Sequence, residues 1–173
     1  MDAPQNPAGA FVAEDNFGPE RRNEFIAVIE KAPSALRTAV AGLSDQQLDT
    51  RYRNWTIRQI VHHLADSHVN SYIRFKWALT EDMPTIKAYD ESRWAALEDS
   101  RTGDIRVPLA LVEGLHARWV QLLRSMTDAQ FAQKFHHPET GQDVSLNAAL
   151  CSYAWHCRHH TAQITWLREQ RGW

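Results

Sequence analysis

The stretch Trp55-Thr56-Ile57-Arg58-Gln59-Ile60-Val61-His62-His63-Leu64-Ala65-Asp66-Ser67 decides how this chain is read. Thr56 followed by Gln59 is a capping box, in which the hydroxyl accepts from an orphan amide of a helix start and the Gln side chain reaches back. The helix it opens runs to about Thr80, with Ile57, Val61, Leu64, Tyr72, Phe75 and Leu79 in one apolar sector. Beside that sector, His63, Ser67, Asn70 and Arg74 recur at i, i+4, i+7 and i+11 as a narrow polar stripe. Such a stripe at a core-facing edge is unfavourable unless it lines a wet cavity or is hydrogen-bonded throughout. Arg74 lies about 16 Å along the helix axis from His63. That separation suits a guanidinium holding the far end of an anionic substrate, with Asn70 beside it. An ordinary ion pair with an acidic neighbour is the plainer alternative for Arg74. Asp66 and Ser67 are placed to orient a ligand from behind, although a solvated helix carboxylate is the plainer reading of Asp66. His62 and His68 project away from His63 and read as surface or packing residues.

Outward from this helix, the rest of the chain is also helical. From Pro19 the core spacing of Phe25, Ile26, Ile29, Leu36, Val40 and Leu43 predicts a long helix, which Pro33 is expected to kink or split. Ser44 with Gln47 is a second capping box for a short turn of helix. Residues 81–89 read as a loop and Asp90 to Ser100 as a short helix closed before Gly103. A third long helix has Pro108 in its first turn and a seam of Leu111, Val112, Leu115, Trp119, Leu122 and Met126, with His116 at the edge as a structural residue. Thr127 begins a short helical piece, and His136 to Asp143 reads as a turn or small hairpin. Ser145 caps a fourth long helix that reaches nearly to Gly172. The fold class is therefore all-α, a four-helix bundle with long connections and short extra helices. Residues 1–17, rich in Pro, Ala and Asn, read as a loose leader, and residues 18–173 as a single domain.

The last helix carries Tyr153-Ala154-Trp155-His156-Cys157-Arg158-His159-His160-Thr161-Ala162-Gln163. At about 100° per residue, His156 and His160 fall inside the apolar sector with Ala149, Tyr153 and Leu167, while His159 falls toward solvent. Two histidines four apart in a helix are often only polar residues, but burial of both rings favours a shared ion. His63 supplies a third nitrogen, and three protein ligands leave positions open, as at catalytic ions. Trp55 and Trp155 flank these segments and could line the pocket. His136 and His137 read as loop histidines without a specific role.

Composition narrows the function classes. Apolar residues make up 43% and charged ones 23%, an ordinary globular mix. The net charge is only −2 and the basic residues are scattered, which argues against nucleic acid or an anionic membrane surface as partner. No apolar run has the length of a membrane span, and the first residues carry no secretory signal pattern. Cys151 and Cys157, six apart on one helix, are poorly placed to bridge each other, so a reducing cytoplasm is the expected location.

The segment from Trp55 through Asp90, including His62-His63-Leu64-Ala65-Asp66-Ser67-His68 and Asn70-Ser71-Tyr72-Ile73-Arg74-Phe75-Lys76, resembles the YfiT branch of the DinB-like metalloenzymes. Tyr153-Ala154-Trp155-His156 and Arg158-His159-His160 resemble the closing motif of the same branch. The resemblance implies a DinB-like four-helix bundle, commonly dimeric. It further implies a divalent metal, zinc first and nickel second, on three histidines that correspond to His63, His156 and His160. Proteins of this kind are classed provisionally as metal-dependent hydrolases. Some DinB-like relatives instead use a low-molecular-weight thiol, such as bacillithiol or mycothiol, as S-transferases or isomerases. A non-catalytic bundle that binds a metal or ligand is the third alternative.

Three neutral imidazoles leave a bound ion its positive charge, which acidifies a water to a pKa of about 7 in the best zinc case and a thiol more readily. The expected partner is a small-molecule substrate. No glutamate of the HExxH kind stands beside His156, so no general base can be named. With seven Trp and long helices, an uncovered apolar helix face is expected, and a two-fold homodimer would bury it.

Overall fold

The computed structural model describes residues 2–173. Four long helices form the bundle: α1 (Pro19–Val40), α3 (Ile57–Thr80), α6 (Arg106–Ser125) and α8 (Leu146–Arg171). The short helices α2 (Asp45–Leu48), α4 (Glu91–Ala95), α5 (Glu98–Thr102) and α7 (Asp128–Phe131) fill the connections. Two antiparallel hairpins complete the chain: β1 (Arg51–Tyr52) with β2 (Trp55–Thr56), and β3 (Lys134–His137) with β4 (Gln142–Ser145). The loop after α3 docks on β3, where the Ile86 amide donates to the His136 carbonyl at 3.0 Å.

The helix starts lie where the side-chain chemistry puts them. Thr56 and Ser44 each form a complete capping box, with Gln59 and Gln47 respectively, and Ser145 accepts from the Ala148 amide to open α8. Pro33 does not split α1, which runs unbroken through it. The expected single helix from Asp90 to Ser100 is two short ones, α4 and α5, separated at Ala96 and Leu97. The small β1–β2 hairpin was not anticipated, because strands of two residues carry no readable alternation.

Helix α1 packs against α6 and α8, and α3 packs against the same two. The long helices α1 and α3, consecutive among the four, are therefore diagonal partners across the bundle. Residues 2–18 form no helix or strand but are tied down rather than loose. Trp155 Nε1 donates to the Gly9 carbonyl at 3.0 Å, Arg53 donates to the Ala3 carbonyl at 3.0 Å, and Phe11 packs on Trp155. No helix among the described residues is long and apolar enough to cross a membrane.

The apolar interior is divided in two. One cluster gathers Phe25, Ile29, Phe75, Trp119, Leu150 and Ala154, and the other gathers Leu36, Ile57, Val61, Leu64, Leu109 and Ile164. Along each of the four long helices one cluster gives way to the other: between Ala32 and Leu36 on α1, Leu64 and Phe75 on α3, Leu109 and Trp119 on α6, and Cys157 and Ile164 on α8. Histidines from three of them stand in or beside these gaps: His63 and His68 from α3, His116 from α6, and His156 and His160 from α8.

Candidate metal centre

His63, His156 and His160 each offer a ring nitrogen, and these three atoms lie within 4.8 Å of one another. Nε2 of His63 and Nε2 of His156 are 3.1 Å apart. Two imidazole nitrogens held at 2.0–2.1 Å on a tetrahedral zinc ion would be about 3.3 Å apart, so the spacing fits such an ion. The donor set, three nitrogens and no carboxylate or thiolate, suits zinc, nickel, copper or iron rather than calcium or magnesium.

The rings are held neutral. Desolvation pushes His63 down to about 4, helped by His159. Desolvation and neighbouring imidazoles push His156 and His160 well below the ordinary histidine value. His156 is less fully buried than the other two, yet both its ring nitrogens face other imidazoles. Neutral nitrogens with free lone pairs are what a metal requires.

Two of the three rings are oriented by a hydrogen bond at the outer nitrogen. Nδ1 of His160 donates to Gln163 Oε1 at 2.8 Å, which leaves its Nε2 free, and Gln163 Nε2 donates onward to His159 Nε2 at 2.9 Å. On the other side of His156, its Nδ1 lies 3.1 Å from Nε2 of His68. The Trp55 ring stands 4.5 Å from that of His63 and 6.2 Å from that of His160, so it walls the site. Trp55 immediately precedes the Thr56 cap, and the cap thereby fixes the indole over the first turns of α3. A cleft of about 180 Å³ opens beside it, with Tyr52, Asn54, Trp55, His160 and Gln163 in its wall.

The polar stripe of α3 is largely buried, with His63, Ser67 and Arg74 each 9% exposed or less. Arg74 makes no ion pair among the described residues, and its Nε has no hydrogen-bond partner. His137 Nδ1 also lacks a partner among the described residues, and both His137 and the Tyr89 hydroxyl feel the Arg74 charge. Burial pushes the Glu91 carboxyl up while Arg74 pulls it down. Asn70 donates to the Asp66 carbonyl of its own helix at 2.9 Å, and Ser67 offers its carbonyl to the Tyr153 hydroxyl at 3.4 Å. The Asp66 carboxyl is pushed up to about 6 by burial and by Asp99 of α5. It makes no hydrogen bond to His63 among the described residues.

Three histidines sit differently from the sequence reading. His68, read as surface or packing, is 1% exposed and bonded to His156. His116, read at an edge, is also 1% exposed, and its Nε2 lies 2.7 Å from Nδ1 of His68. His159, expected toward solvent, is 8% exposed and stacked on Trp155 at 4.4 Å. His116 takes a core position on α6, and Leu111, expected in the seam, is left 48% exposed. A histidine three residues before Trp119 and four after Val112 was the available signal.

Three convergent imidazoles at mid-height of four long helices define a bundle metalloprotein. The DinB superfamily model matches residues 29–164, and the chain belongs to that superfamily. YfiT of Bacillus subtilis, provisionally named a metal-dependent hydrolase, is 48% identical, over 96% of this chain and 95% of that one. A Geobacillus kaustophilus protein with the same provisional designation is 45% identical, over 100% of this chain and 98% of its own. The solved structure of Bacillus subtilis YfiT, described as a four-helix bundle of unusual topology, has a TM-score of 0.94 and covers 97% of both chains.

Proposed function

We propose that the protein is a metal-dependent hydrolase that acts on small anionic substrates, with His63, His156 and His160 as the ligands of a divalent ion, zinc first and nickel second. The carrying observation is the convergence of three neutral ring nitrogens within 4.8 Å, with the outer nitrogens of two rings already engaged. A divalent ion there would polarise a substrate oxygen and lower the pKa of a bound water. Trp55 excludes solvent from one side of the histidines. Arg74, buried and without a carboxylate partner among the described residues, holds the substrate's negative charge, and Asn70 lines the approach.

A second reading, transfer of a low-molecular-weight thiol, is favoured by one observation: the cluster contains no carboxylate to take a proton from water. A thiol, once ionised, needs no such base. The test is a panel of esters, amides and alkyl electrophiles offered to the zinc-loaded protein with and without small thiols. Thiol-independent hydrolysis that chelation abolishes supports the hydrolase. Turnover only in the presence of thiol overturns it in favour of transfer.

We further infer that the protein works in the cytoplasm as a homodimer. The first part is supported by two buried, unpaired cysteines. The second is supported by exposed apolar pairs one helical turn apart, Ile73 with Trp77 on α3 and Val107 with Leu111 on α6.

A further inference from the structure

Pro33 stands inside α1 and has no N–H. The carbonyl four residues earlier, that of Ile29, therefore lacks its helical donor. His116 replaces that donor, with its Nδ1 2.7 Å from the Ile29 oxygen. A carbonyl can only accept, so the proton of a neutral His116 sits on Nδ1 and its Nε2 is a lone pair. That lone pair faces Nδ1 of His68 at 2.7 Å, so His68 also carries its proton on Nδ1 and accepts at Nε2. Nε2 of His68 in turn faces Nδ1 of His156 at 3.1 Å. His156 must then be protonated on Nδ1, and its remaining lone pair, on Nε2, points to His63. Each assignment forces the next.

We propose that His68 and His116 are positioning residues of the metal centre, and that the Ile29 carbonyl left free by Pro33 fixes which nitrogen of His156 is available to the ion. His68 and His116 are each 1% exposed, so water cannot substitute for either link. The Trp119 ring packs edge-on against both, at 6.0 Å and 5.9 Å, and limits their rotation. The chain runs from α8 through α3 and α6 to α1, so every long helix contributes to the orientation of one ligand. This inference rests on the metal-site reading but not on any particular reaction.

Long-range proton–nitrogen NMR of the zinc-loaded protein, labelled at histidine, reads the tautomers directly. Protons on Nδ1 of His68, His116 and His156 are expected, and a proton on Nε2 of His68 or His116 instead overturns the proposal. Zinc affinity by chelator competition is the second readout. His116→Leu should weaken binding at least about tenfold. His116→Gln can accept from His68 and donate to Ile29, and should stay within about threefold of the parent. Parent-like affinity in His116→Leu, or a Gln variant no better than the Leu one, overturns the assignment. Should the Leu variant fail to fold, the tautomers of the parent decide alone. Loss of zinc by His63→Ala and His160→Ala tests the underlying site separately: if both keep their zinc, the metal-site reading fails rather than the positioning chain.

Discussion

Nε2 of His63 and Nε2 of His156 are held 3.1 Å apart, although the residues are 93 positions apart in the chain. Two ring nitrogens at that distance can share one proton in a hydrogen bond or, together with the third imidazole that both face, bind one ion. His156→Ala should therefore lose most of its zinc, because two imidazoles hold a divalent ion weakly. Gln163→Leu removes the acceptor of His160 Nδ1 and should weaken zinc binding by about tenfold or more. Elemental analysis after extensive dialysis measures both, and a full zinc complement in His156→Ala would refute the ligand assignment.

Arg74→Ala should keep the fold and the ion. For an anionic substrate, kcat/KM should drop by about ten- to a hundredfold, the worth of a charge-assisted hydrogen bond. Neutral substrates of the same skeleton should be turned over as before. An equal loss on both would mean that Arg74 supports the structure rather than the substrate.

Acid should weaken the metal-free fold. His63 is held near 4 in the folded state, and His156, His160 and His68 lie well below 6.5. In the unfolded chain each takes up a proton near 6.5, so below that pH the unfolded state binds more protons and stability falls. His63 alone should contribute about 3 kcal/mol to this loss by the time the pH passes through its folded value. Asp66 has the opposite sign: its folded value of about 6 makes it destabilising above that pH, and the effect fades toward its unfolded value. Urea midpoints of chelated protein should fall steadily from pH 6.5 to 4. In Asp66→Asn they should rise at pH 7.5 and match the parent at pH 3.5. A parent midpoint independent of pH across that range would contradict the buried-neutral reading.

Sedimentation at micromolar concentration should give twice the monomer mass of 19.9 kDa. Trp77→Glu should shift the population toward monomer if the exposed step on α3 lies in the interface. A parent that sediments as monomer at all concentrations would end the dimer proposal.

The helix ends were legible because their signals are local. A hydroxyl and an amide three residues apart are enough to identify the starts of α2 and α3. The convergence of the His63, His156 and His160 rings was legible because periodicity places each ring relative to the apolar residues of its own helix. Periodicity failed on α6, where counting histidine as polar turned Leu111 inward and His116 toward the edge. His116 is buried because its two nitrogens find partners on α1 and α3, which no single-helix pattern can register. His68 was misjudged for a related reason. It does turn away from His63, but the far nitrogen of His156 lies in that direction.

The division of the apolar interior into two clusters has a consequence for motion. A helical bundle ordinarily frays from its ends and is tightest at its waist. Here the waist is the imidazole layer, where adhesion between helices depends on hydrogen bonds and, once bound, on the ion. Without the ion, the amides flanking His63 and His156 should exchange with solvent sooner than their place at the centre would suggest. Binding it at His63, His156 and His160 should tie α3 to α8 through one point and join the two halves into a single cooperative unit. The metal would then govern how the molecule breathes, independently of any reaction it performs.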